Sequence, residues 1–252
     1  MPRLYRIWLM VLLIGVASAA GCAAIAPSGT PVQPDTPAPT DTPEPPLDAE
    51  AVLQRAAGRV AELRTAAFLL DHRKGSTTLF PGVEMTRASG VVAIPDRYRL
   101  VVEARSAAPQ AFIEITVVSV GDEVRMTDFF TGRWRVVPQS VLPVDFSQLG
   151  VTLAEIVHAV ILLEPELVGT EAVAGVETHR VHGSIKSEGL GGLVPGAGKG
   201  FDVSVDLWVE MPEGLVHQVL ITGQVLSTDL FDSERLLTLG DFDLPVAIEL
   251  PE

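Results

Sequence analysis

The stretch Phe201–Glu210, FDVSVDLWVE, decides how this chain folds. Phe201, Val203, Val205, Leu207 and Val209 share one parity, while Asp202, Ser204, Asp206 and Glu210 share the other. Side chains of a strand point alternately to opposite faces, so a period of two predicts a strand with one wet and one apolar side. Half-wet strands of this kind belong to antiparallel sheets. The pattern recurs upstream, where Tyr98, Leu100, Val102 and Ala104 alternate with Arg97, Arg99, Glu103 and Arg105, Val101 being the one apolar residue on the polar side. In Ile113–Val120 (IEITVVSV), Ile113, Ile115 and Val117 share a parity, and the apolar parity then switches at Val118. Such a switch predicts a β-bulge or strong bend, which helps a sheet to curl. Further strands are predicted near Glu177–Ile185 and Val216–Gly223, the latter directing Val219 and Ile221 inward.

Helical spacing shows in two places. From Ala49 to about Arg64, Val52, Leu53, Ala56, Val60 and Leu63 form one stripe behind Asp48, a natural N-cap. A second helix is predicted from Thr152 to about Leu163, carrying Ile156 and Val160 and followed by Pro165. The order helix, strands, helix, strands gives an α+β class: a large antiparallel sheet with helices on one face.

The chain opens differently. Arg3 and Arg6 precede an apolar run, Ile7–Ala20, that ends in Ala19, Ala20 and Gly21, the layout of a cleavable signal peptide over residues 1–21. Fourteen residues rise about 21 Å as a helix, short of the ~30 Å hydrocarbon core. Ala19-Ala20-Gly21-Cys22 resembles a bacterial lipobox, and Cys22 is the single cysteine. A lone thiol has no disulfide partner, and acylation would remove its reactivity in an oxidising compartment. Residues 22–47 are then a lipidated N-terminus and a Pro/Thr-rich linker, with eight prolines between Ala26 and Pro46. At roughly 3.1 Å per residue in extended polyproline form, that linker reaches about 80 Å. Residues 48–252 read as one domain.

The formal net charge is −14, and removing residues 1–21 leaves 16 basic against 32 acidic residues. That surface repels phosphate backbones and argues against nucleic-acid binding and against a polybasic grip on anionic lipid. Attachment through a diacylglyceryl group on Cys22 places the protein outside the cytoplasm, anchored to the cell membrane. No cofactor or metal site is expected. Of the histidines, His179 and His182 lie three apart in a predicted strand and so face opposite ways, His158 sits on the apolar helix, and His72 and His217 have no partner motif. No Gly-x-Ser-x-Gly elbow or Cys/His pair is present, and Glu164, Glu166, Asp241 and Asp243 read as solvated carboxylates. The segment Gly189–Gly200, GLGGLVPGAGKG, departs from a phosphate loop at Leu193 and Gly200. It reads as a mobile loop whose Leu190, Leu193 and Val194 would suit either a flap over an apolar opening or a plain surface loop. Nothing recommends an enzyme.

With these elements placed, the chain resembles the LppX/LprAFG family of actinobacterial lipoproteins, whose fold is like that of the carriers LolA and LolB. The stretches that carry the resemblance are Ala88–Val92 leading to Pro95, Val117–Glu123, Thr131–Trp134, Gly175–Ile185, Val205–Glu210, Gly214–Gly223, and Leu239–Phe242 with Pro245 and Ile248. Their order and spacing, more than any one of them, is the signal. The resemblance implies a curved antiparallel half-barrel with helices over its concave face, an apolar cavity between the layers, and acylated lipids or glycolipids carried there within the cell envelope. The inward sets Tyr98, Leu100, Val102; Ile113, Ile115, Val117; Val203, Val205, Leu207; and Val219, Ile221, with Ile156 and Val160, would line it. The same alternation would also make an ordinary filled core. A monomer is expected, with an envelope transporter as a partner. The alternative reading is a non-transporting cell-surface adaptor that docks a protein.

Overall fold

FDVSVDLWVE forms β10 (Asp202–Glu210), an interior strand of a twelve-stranded antiparallel sheet. The structure is a computed structural model, and it describes residues 47–139, 164–191, 194 and 196–252. The chain enters through α1 (Ala49–Glu62) and then runs through β1 (Thr65–Lys74), β2 (Thr77–Phe80), β3 (Val83–Ala93), β4 (Arg97–Ala107), β5 (Gln110–Val120), β6 (Glu123–Thr127) and β7 (Trp134–Val137). The second run holds β8 (Glu166–Val173), β9 (Val176–Lys186), β10, β11 (Leu215–Thr222) and β12 (Glu234–Gly240). Spatial order is β7-β6-β5-β4-β3-β1-β12-β11-β10-β9-β8, with β2 paired to β3 off that path, so two meanders meet where β1 pairs with β12. Among the described residues the sheet is open, with β7 and β8 at its edges.

Register turns the sequence alternation into one surface. Val181, Leu207, Val219, Leu237, Leu70, Ala88, Val102 and Ile115 are successive cross-strand partners from β9 to β5. With neighbouring strands about 4.8 Å apart, this single apolar row spans about 34 Å. A parallel row, Leu239, Phe68, Gly90, Leu100, Val117 and Met126, lies beside it. We call this side inner. All but Leu70 and Gly90 of these two rows are buried, within one hydrophobic cluster.

Among the described residues α1 is the one α-helix, as the capping pattern foretells. The Asp48 side chain accepts from the Ala51 N–H at 2.7 Å, and Val52, Leu53, Ala56 and Val60 are buried against the inner side, with contacts to β9 and β11. The β10–β11 turn rests on it: Gly214 has φ +76, and a Cβ there would stand 2.8 Å from the Arg55 carbonyl oxygen. The second expected helix, with Ile156 and Val160, lies outside the described residues.

The expected bulge at Val117/Val118 is not there. The β4–β5 and β5–β6 ladders run through both residues without a register shift. Val118 simply faces outward and is buried, because the C-terminal tail crosses that side. The tail leaves β12, bonds β1 through Asp243 N–H to the Thr65 carbonyl at 2.9 Å, buries Ile248, and ends where the Arg125 guanidinium donates to the Pro251 carbonyl. Arg125 is the cross-strand partner of Val118. Shifts occur elsewhere, at His72/Lys74, Met85/Arg87, Leu167/Gly169 and Trp208/Val209 among others. Strands β3 and β4 approach closely at Gly90, where a Cβ would lie 2.2 Å from the Arg99 carbonyl oxygen.

Candidate functional site

The inner face is the one surface that every sequence-assigned binding residue within the described segments shares. Tyr98, Leu100, Val102, Ile113, Ile115, Val117, Val203, Val205, Leu207, Val219 and Ile221 are all buried on it. It is aliphatic along its length because period-two alternation places Val, Ile and Leu there strand after strand. Tyr98 is the polar member of that set, its hydroxyl donating to Gln139 Oε1 at 3.2 Å.

The lower rim of this face, the end bearing the β1–β2, β4–β5, β6–β7, β9–β10 and β11–β12 connections, holds a buried polar cluster that sequence reading missed. Arg235 faces inward between Ile221 and His72. Its guanidinium meets Asp229 at 2.7 Å and the Thr77 hydroxyl at 3.3 Å, and both charged residues are buried. Asp229 also accepts from the Val225 and Leu226 N–H groups at 3.1 and 2.8 Å, so the pair ties the β11–β12 loop to the inner face. His72 bonds Thr77 Oγ1 at 2.9 Å and the Thr86 carbonyl at 3.1 Å. Burial, reinforced by the Arg235 charge, pushes the His72 pKa down to about 4. A signal was present: Arg235 falls on the apolar parity of Leu237 and Leu239, where a charge requires a buried partner.

The Gly-rich loop closes the same rim. Leu190 is fully buried in the cluster and Val194 packs on it, while Leu193 lies outside the described residues. The described residues of the loop are hydrogen-bonded to their surroundings: Gly198 N–H donates to the Val225 carbonyl at 2.7 Å, the Ser187 hydroxyl to the Gly198 carbonyl at 2.9 Å, and Gly200 N–H to Glu188 at 2.8 Å.

On the outer face, Asp206 accepts from Arg180 at 2.9 Å and lies 3.2 Å from His182, and Arg180 stacks on Trp208. His179 pairs with Val209 on the inner parity, so His179 and His182 do face opposite ways. Asp243, expected to be a solvated carboxylate, is an anchor. It pairs with Arg59 and accepts from the Arg64 N–H at 2.9 Å, and these contacts hold its carboxyl below the usual range. His158 and Cys22 lie outside the described residues. A cleft of about 440 Å³ lined by Glu84, Arg105 and Phe112 opens on the outer face beside the β4–β5 turn, away from the inner rows.

This strand order can be compared with known folds. Against LprF from Mycobacterium bovis the TM-score is 0.61, with 17% identity over 81% of this chain and 96% of that one. The chain has the LprF fold. LppX from Mycobacterium tuberculosis gives a TM-score of 0.54 at 17% identity, covering 80% of this chain and 98% of that one. No family model and no curated protein matches the sequence. The likeness to LprF and LppX is thus one of fold, and it spans nearly the whole of both chains.

Proposed function

We propose that this protein is an extracytoplasmic lipoprotein, anchored through Cys22, that binds acylated lipids or glycolipids against its inner face and carries them within the cell envelope. The observation that carries this reading is the unbroken aliphatic row of eight residues from Val181 to Ile115, on a sheet of the LprF and LppX fold. Helix α1 covers the β9–β11 part of that face, and the segment with Ile156 and Val160 would complete an apolar cavity over the rest.

The energetics favour a carrier without a fuel. Each CH₂ exposed to water costs about 0.8 kcal/mol, so two chains totalling about 30 such groups would cost about 24 kcal/mol to move free through solvent. An aliphatic face that matches the bilayer interior makes the exchange near neutral and lowers the barrier between membranes. Organic extraction of protein purified from membranes, followed by mass spectrometry, is expected to recover acylated species at about one per chain. Recovery of none, with an interior that excludes added lipid, would overturn the reading.

A further inference from the structure

The most exposed aromatic side chains gather at the lower end. Phe130 (85% exposed) and Phe129 (37%) form the β6–β7 tip, Phe231 (82%) and Leu230 (57%) the β11–β12 tip, and Phe112 (64%) flanks the β4–β5 turn. Loose loops would fold such side chains inward to hide them. These tips are held outward instead. Asp128 Oδ1 accepts from the Phe130 and Thr131 N–H groups at 3.0 and 2.9 Å, and the Phe129 and Phe130 rings touch in a tilted pair, their centroids 4.1 Å apart. The Leu230 carbonyl accepts from the Ser233 N–H and hydroxyl at 3.2 and 3.0 Å, and Asp229, buried against Arg235, fixes the start of that loop.

We propose that this end seats on the bilayer surface, with Phe130, Phe231 and Phe112 entering the interfacial region. A membrane fits the pattern better than a protein partner does. In the sheet order the β6–β7 tip lies five strands away from the β11–β12 loop, roughly 24 Å at the ladder spacing. A stable protein interface needs about 800 Å² of contiguous surface on each side, whereas a fluid interface takes up isolated aromatic wedges wherever they stand. The seating rests on the Cys22 anchor proposed above: a domain tethered to a bilayer by its N-terminus needs only weak wedges to stay seated on it. Charge sets the lipid class. The β6–β7 tip carries Arg133 and Arg135 with Asp128, and the β11–β12 tip carries Asp232 and Glu234 with Lys74, so the two tips together offer no net positive charge and the contact is with zwitterionic lipid. The contact belongs to the empty protein as much as to a loaded one, and it places the rim closed by Leu190 and Arg235 next to the membrane.

The test uses the full chain with phosphatidylcholine vesicles. Phe130→Cys, Phe231→Cys and Leu244→Cys variants are labelled with nitrobenzoxadiazole, the unsubstituted chain serving as blank for any label at Cys22. Labels at 130 and 231 are expected to shift to the blue and to be quenched by doxyl-bearing lipid, unchanged between about 0.1 and 1 M salt, where electrostatic contacts would be screened. The label at 244, at the opposite end, is expected to stay water-like. Water-like emission at 130 or 231, or equal quenching at all three sites, overturns the proposal. Emission at 130 and 231 that shifts only when membrane protein is added to the vesicles would assign this end to a protein partner and overturn it as well. Each of these outcomes is independent of whether cargo is recovered by extraction.

Discussion

His72 shows how one inward position can set the acid behaviour of the protein. Its neutral ring is held between Thr77 and the Thr86 carbonyl, and its pKa falls from 6.5 to about 4 through burial first and the Arg235 charge second. The unfolded chain therefore binds this proton more readily than the folded one. The contribution is fully present above pH 6.5, is lost as the pH falls toward 4, and amounts to at most about 3 kcal/mol. Urea unfolding at successive pH values is expected to show this slope between about 6.5 and 4, and His72→Gln to flatten it. The carboxylates of Asp243 and Asp128, whose pKa values are lowered, act in a lower window, so they leave the His72 range clear. Arg235 and Asp229 beside it are a different kind of residue: each is tolerated inside only because the other is there, and removing one would strand a buried charge.

At the scale of elements, what was legible is what is local. Helix α1, its Asp48 cap and the faces of β4, β5, β10 and β11 follow from spacing within one segment, because a helix repeats every 3.6 residues and a strand every two. What was illegible depends on partners far along the chain. Val118 looked like a bulge because the tail that covers its outward side comes more than 120 residues later, and Arg235 meets Thr77 across 158 positions. The close approach of β3 and β4 was likewise invisible, since it depends on the neighbouring strand. At Gly90 the β4 backbone comes so close that an added Cβ would meet Arg99 O at 2.2 Å and Leu100 Cα at 2.8 Å. Gly90→Ala is expected to force β3 and β4 apart at a cost of about 1–3 kcal/mol, read as a lowered Tm. An unchanged Tm would show that the ladder yields there without strain.

For the whole molecule, the two ends of the sheet divide the work. The lower end carries the aromatic tips and the polar rim, while the upper end is locked by the tail. Gly240, Ala67, Val91, Arg99, Val118 and Arg125 form one outward row across six strands, and the tail contacts it near its start and at its far end, at Thr65 and Arg125. It also ties in α1, through Asp243 with Arg59. From Asp243 onward the tail thus fastens the helix and both meanders, while Phe242 just before it packs on the edge of the inner cluster. Deleting residues 243–252, which spares Phe242, removes the burial of Ile248, worth about 2 kcal/mol, and at least two charge-assisted contacts of about 1 kcal/mol each. A loss of roughly 3–5 kcal/mol in urea unfolding is expected. Because none of those contacts lies on the inner rows, the truncated chain that remains folded is expected to yield the same extractable lipid as the full one. A tail that lined the binding surface would instead lose lipid and stability together, and unaltered stability would make it a passive extension.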